Sequence, residues 1–226
     1  MTTTLIAILS GLAAGVAHVF AGPDHLAAVA PLAIDHKQKP IKAGLFWGIG
    51  HSRGVWILAI AAILLRDALP LDWLSSWSER IVGIVLIGIG LWAIRKAMSV
   101  KVHTHVHEHD GMPHAHIHVH EEGMEHHEHS KHAHEHRALG IGMLHGFAGT
   151  SHLMGVLPAL MLPSRLSAVL YVFAFGLGSI GGMSIFTWTV GRLAGRLNGS
   201  GQHATKYLFY GSGITAIAIG CFWLTM

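Results

Sequence analysis

Six stretches of this chain are long and apolar enough to cross a bilayer: about Leu5–Ile34, Ile41–Leu65, Ile81–Met98, Ala138–Leu162, Leu166–Val190 and Tyr207–Met226. A spanning helix needs roughly 20 such residues. Charged residues make up 12% of the 226, against about a quarter in a soluble domain. The formal net charge of +3 is too small to suggest nucleic acid as a partner. The expected class is therefore an all-α integral membrane protein of about six transmembrane helices. Met1-Thr2-Thr3-Thr4 lacks the basic start of a secretion signal, so the first run is read as a retained helix. The single cysteine, Cys221, excludes a disulfide within the chain and is expected to pack as a small buried residue.

The first run is too long for one upright helix, and it contains Gly22-Pro23. Proline removes a backbone hydrogen bond, so a broken first segment is expected. The same stretch recurs 127 residues later: Gly15–Pro31 lies over Gly142–Pro158 with nine of seventeen positions identical, among them His18/His145 and His25/His152. One further residue of shift places Gly48-Ile49-Gly50-His51 over Gly176-Leu177-Gly178-Ser179. Three spans per half turn the second half upside down. The expectation is two inverted three-helix repeats, residues 1–100 and 138–226, each with a broken first helix. The pairs Gly11/Gly15, Gly50/Gly54 and Gly178/Gly182 are expected to pack helices closely. Met143, Met154, Met161 and Met183 are read as packing residues.

Residues 101–137 form a low-complexity loop; Val102–His136 holds fourteen of the 21 histidines. Its apolar content cannot bury a core, so it is expected to be disordered without a ligand. Its imidazoles, mostly neutral at pH 7, suit Ni²⁺, Co²⁺, Zn²⁺ or Cu²⁺ with little selectivity. Eleven basic residues fall on the side of this loop and only Arg66, Arg80 and Arg165 on the other. That bias places the loop in the cytoplasm and both termini outside a plasma or inner membrane.

Ionisable residues inside a membrane are costly and mark a site or pathway by default. Here they are His18, Asp24 and His25 in the first span, His145 and His152 in the fourth, and His51 and Arg53 in the second. Histidines seven apart on an intact helix sit about 10 Å apart along it. They can share an ion only across a break. The expected site is His18, Asp24, His25, His145 and His152 facing one another across the pseudo-dyad, with His51 as a further ligand. Asp24 supplies the negative charge, and it is also a candidate N-cap for the restarted helix. Arg53 is expected either to pair with Asp24 or to meet a lipid headgroup. Imidazole with carboxylate suits nickel, cobalt, zinc and iron(II) better than copper(I).

His18-Val19-Phe20-Ala21-Gly22-Pro23-Asp24-His25 and His145-Gly146-Phe147-Ala148-Gly149-Thr150-Ser151-His152 resemble the nickel/cobalt transporter superfamily, in its branch of small urease accessory protein UreH-like permeases. The resemblance covers nearly the whole chain. The larger permeases place four residues between the histidine and Asp-His; here there are five. The resemblance implies Ni²⁺ or Co²⁺ transport. It carries ligand roles onto His18, Asp24 and His25, while His145 and His152 rest on the repeat. Expected partners are the bilayer, the transported divalent ion, and a metallochaperone or nickel-enzyme maturation proteins. No catalytic cofactor and no enzymatic activity are expected. No phosphate-binding Gly-x4-Gly-Lys-Ser/Thr loop is present, so energy must come from an ion gradient, the membrane potential or a partner. Rival readings are a zinc or iron(II) exporter, an intramembrane metalloenzyme and a metal sensor.

Overall fold

A computed structural model describes residues 2–35, 39–64, 71–109, 112–121, 130–147, 150–198 and 203–225. For 61–64, 71–76, 78, 100–109, 112–121, 130–135, 137, 150–154, 198 and 203 it describes the backbone alone. The helices are α1 (Thr2–Ala21), α2 (Pro23–Asp35), α3 (Pro40–Leu64), α4 (Leu71–Ser99), α5 (Ser130–Phe147), α6 (Thr150–Leu160), α7 (Arg165–Asn198) and α8 (His203–Thr225). Among the described residues, four stretches are long and apolar enough to cross a membrane: Thr2–Ala21, Glu79–Ser99, Arg165–Leu197 and Ala204–Thr225. The chain is a helical membrane protein.

The predicted first span divides at Gly22 into α1 and α2. Gly22 N–H still donates to His18 O at 3.0 Å, and Gly22 O accepts from Leu26 N–H at 3.5 Å. Pro23 lies between these bonds. It has no N–H to continue the ladder, but it suits the first position of a new helix. Gly22 is thus the N-cap of α2. Asp24 sits inside the first turn, which corrects the N-cap expectation for it. The predicted fourth span is described as α5 and α6, and the expected break between them, at 148–149, lies outside the described residues.

The main packing pairs are α1 with α7, α3 with α5, α3 with α7, and α4 with α8. Glycines set the close approaches. A Cβ at Gly15 would run into the backbone of Phe175, one at Gly178 into that of Leu12, one at Gly50 into that of Leu139 and one at Gly146 into that of His51. The close packing expected of the glycine pairs is therefore present. An unforeseen seam joins α4 to α8, where Gly83 faces Gly220 and Gly90 faces Gly213. Ser52 Oγ donates to Gly176 O at 2.9 Å and Trp56 Nε1 to Val172 O at 3.1 Å, tying α3 to α7. Ile34, Ala93, Ala97, Ala194 and Phe209 form one buried cluster. It gathers the ends of α2, α4 and α7 and the start of α8 at one end of the bundle, where Lys96 pairs with Asp35.

The histidine-rich segment contains two strands, β1 (Val100–His109) and β2 (Met112–Glu121), paired antiparallel, which the sequence reading did not anticipate. The overlooked signal is period-two alternation of histidine with Val102, Thr104, Val106, Ile117 and Val119. β-Branched residues favour strands, and the intervening sequence Asp110-Gly111 is a favoured pair for a two-residue hairpin connection. Cys221 is exposed on α8 rather than buried. Met161 is also exposed, whereas Met183 is core.

Candidate metal centre

The break at Gly22 changes what a seven-residue spacing means. The rings of His18 and His25 lie 4.5 Å apart, centroid to centroid, in an edge-on arrangement, instead of about 10 Å along an intact helix. A Cβ at Gly22 would collide with His25 Nδ1 and crowd Asp24 Oδ1. Only glycine leaves room for these two groups to fold back against the end of α1.

Around His25 the other helices bring further ligands. His51, from the middle of α3, lies 5.0 Å from the His25 ring and 5.7 Å from that of His18. His145, from the last turn of α5, lies 4.7 Å from the His25 ring. The Asp24 carboxylate bridges two imidazoles: Oδ1 is 3.1 Å from His25 Nδ1, and Oδ2 is 3.3 Å from His145 Nε2. Asp24, His25, His51 and His145 are at most 3% exposed, and His18 is partly buried. Two sets of three, His18/His25/His51 and Asp24/His25/His145, each offer ligand atoms within 4.8 Å of one another. They share His25.

These separations suit a small cation. Ligand bonds of about 2.0–2.1 Å imply ligand–ligand edges of about 2.8–3.4 Å across octahedral and tetrahedral geometry. The two contacts of Asp24 already match. The wider separations need side-chain shifts of only about 1–2 Å to close on a shared ion. One carboxylate among four neutral imidazoles offsets half the charge of a dication.

The walls are apolar. Phe175 of α7 lies 5.3 Å from the His18 ring, and Trp47, one turn before His51, lies 5.9 Å from His145. Both are fully buried. Sequence reasoning missed them, because aromatic residues in apolar helices carry no signal until their neighbours are known. Ser179, which occupies the repeat position of His51, donates to Phe175 O at 3.0 Å instead of joining the cluster.

Five of the six expected site residues therefore converge. The sixth, His152, is in the first turn of α6, and its side chain lies outside the described residues. Arg53 does not reach Asp24: it is exposed on α3 while Asp24 is buried. Two positions along a helix turn a side chain by about 200°, so His51 and Arg53 cannot both face inward.

Fold and site together define a helical membrane protein in which a helix broken at Gly22 contributes to a buried histidine–carboxylate cluster. The chain belongs to the cytochrome c biogenesis protein transmembrane region family, whose model matches residues 6–222. Two similar proteins are Chloroplast protein FOR GROWTH AND FERTILITY 1 and 2 of Arabidopsis thaliana. They are 33% identical over 93% of this chain and 32% over 97%. The chain spans 56% of the length of each. The urease accessory protein UreH of Bacillus sp. (strain TB-90) is 31% identical over 83% of this chain and 77% of its own length. That relative meets the expected likeness to UreH-like proteins, although the matching family is described by cytochrome c biogenesis and not by nickel or cobalt. No solved structure matches the chain.

Proposed function

We propose that this protein carries a divalent transition metal across the membrane through the His18/Asp24/His25/His51/His145 cluster, with Ni²⁺ or Co²⁺ favoured over Zn²⁺. The observation that carries the reading is the convergence of five ligand-type side chains from α1, α2, α3 and α5, with four of the five nearly inaccessible. Burial at this level has a high desolvation cost unless an ion or close partners compensate. His152 is assigned to the same site by the repeat.

The halves 1–100 and 138–226 are read as inverted repeats of α1–α4 and α5–α8, joined by 101–137. The packing supports this. α1 lies on α7 as α5 lies on α3, while α3–α7 and α4–α8 each pair with their own counterpart. A site flanked by broken helices at the junction of such halves suits alternating access, in which one half rocks against the other.

The end holding Lys42, Arg95, Lys96, Arg192 and Arg196 is assigned to the cytoplasm of a plasma or inner membrane, with both termini outside. The hairpin belongs to that side. Its register sets His103 opposite His118, His105 opposite His116 and His107 opposite His114. Directly opposed residues have Cβ atoms about 4.5–5.5 Å apart, and alternate residues share a face. This supports two-imidazole capture of the same metal next to the pathway, for exchange with a metallochaperone or an enzyme-maturation protein. The name of the UreH relative, a urease accessory protein, supports a nickel context. Dithiol chemistry is disfavoured: a dithiol pair needs two cysteines, and this sequence has one.

The test is uptake of radioactive nickel by proteoliposomes. Joint replacement of His25 and His145 by alanine abolishes it under this reading, and undiminished uptake refutes it. Zinc or iron(II) export through the same cluster is separated by competition with each ion and by metal tolerance of cells that overproduce the protein.

A further inference from the structure

A second polar feature lies about half a helix length from the metal cluster. At the basic end of the bundle, the start of α3 and the end of α7 enclose a groove of about 510 Å³. Lys39, Arg192 and Arg196 line it, together with Trp188 and Ile41, and no carboxylate among the described residues does. All three basic residues are exposed. Asp35, the acidic residue at the end of α2, is engaged by Lys96 of α4.

The groove is shaped by close packing, not by loose chain. A Cβ at Gly191 would run into the Pro40 ring, so glycine lets Pro40 seat against α7 and form the floor. Arg192 stacks over Trp188, its Cζ 5.0 Å from the ring centroid. That contact fixes the guanidinium at the rim, and Trp188 marks a depth where aromatic residues sit at the bilayer–water interface. Trp188 and Ile41 are 45% and 47% exposed. Apolar surface therefore continues from the groove toward the hydrocarbon, as a lipid would require and a free ion would not.

We infer that this groove binds the phosphate of an anionic phospholipid from the leaflet at the basic end, with its acyl chains running over Ile41 and Trp188. Guanidinium groups favour phosphate oxygens through paired hydrogen bonds. Basic pockets between spanning helices on the cytoplasmic side are suited to such headgroups. The bound lipid bridges α3, which carries His51, and α7, which carries Phe175, so it would brace the walls of the metal cluster from one end. The inference needs only the membrane location and stands apart from metal transport.

The experiment is native mass spectrometry of the delipidated full chain titrated with phosphatidylglycerol or phosphatidylcholine. Phosphatidylglycerol should bind at least tenfold more tightly. Each basic residue near a membrane surface contributes roughly fivefold, so K39Q/R192Q/R196Q should lose roughly a hundredfold of that affinity. The control K42Q/R95Q/K206Q removes equal charge outside the groove and should lose less than fivefold. If the triple variant does not fold, R192Q and R196Q alone should each show the fivefold loss. Equal losses in the groove and control variants, or no preference between the lipids, overturn the proposal. Displacement of the lipid by millimolar inorganic phosphate would assign the groove to a free anion and overturn it equally.

Discussion

Asp24→Asn tests the metal cluster most directly. The substitution keeps the shape of the side chain and removes the one carboxylate that contacts both His25, at 3.1 Å, and His145, at 3.3 Å. A dication about 3 Å from that charge gains a gross attraction of about 11 kcal/mol at an effective dielectric constant of 20. Desolvation cancels most of this. Removing one partner of a buried charge pair costs about 3–5 kcal/mol net. The expected loss of nickel affinity is therefore roughly 10²- to 10⁴-fold. Fold stability should barely move. Asp24 lies in the first turn of α2, where losing its charge costs only about 0.3–1 kcal/mol, or less than about 4 °C in Tm. Equilibrium dialysis of ⁶³Ni against the detergent-solubilised protein measures the affinity, and initial uptake into proteoliposomes measures transport. Affinity within threefold of wild type, in a variant of normal Tm, would show that no dication sits against this carboxylate.

Further outcomes follow from the same geometry. Gly22→Ala places a methyl group against His25 Nδ1 and Asp24 Oδ1; nickel affinity should fall at least about tenfold by dialysis, and wild-type affinity would mean the fold-back at the break is dispensable. Gly50→Ala overpacks the seam between α3 and α5, where its Cβ meets the Leu139 backbone, and should cost about 1–3 kcal/mol. Gly140→Ala, with nothing within 4 Å, should be neutral or stabilising in the same thermal melt, and equal destabilisation of both would contradict the seam. Exchanging Thr104 with His105 and Val106 with His107 keeps the hairpin's composition but moves two histidines to the opposite face of β1. Calorimetric zinc affinity of the full chain should drop about tenfold or more if opposed pairs bind the ion, and an unchanged value would mean that histidine content alone matters.

The sequence by itself determined the features that depend on neighbouring residues. Long apolar runs require a membrane. Pro23 after Gly22 must interrupt a helix, because no N–H is there to continue it. The recurrence of His18, His25 and Pro31 at His145, His152 and Pro158 is legible whatever the packing. What stayed hidden depends on rotation about helix axes. His51 and Arg53 are two positions apart and equally polar. Nothing in the chain says which faces inward until Gly50 and Gly54 seat α3 against α5 and turn His51 onto His25. The bridge from Asp24 to His145 crosses 121 residues of sequence. It exists only because α5 ends beside the start of α2. Cys221 lies at the surface for the same reason: an apolar residue in a spanning helix is equally at home against lipid or protein, so the arrangement of neighbouring helices alone decides its side.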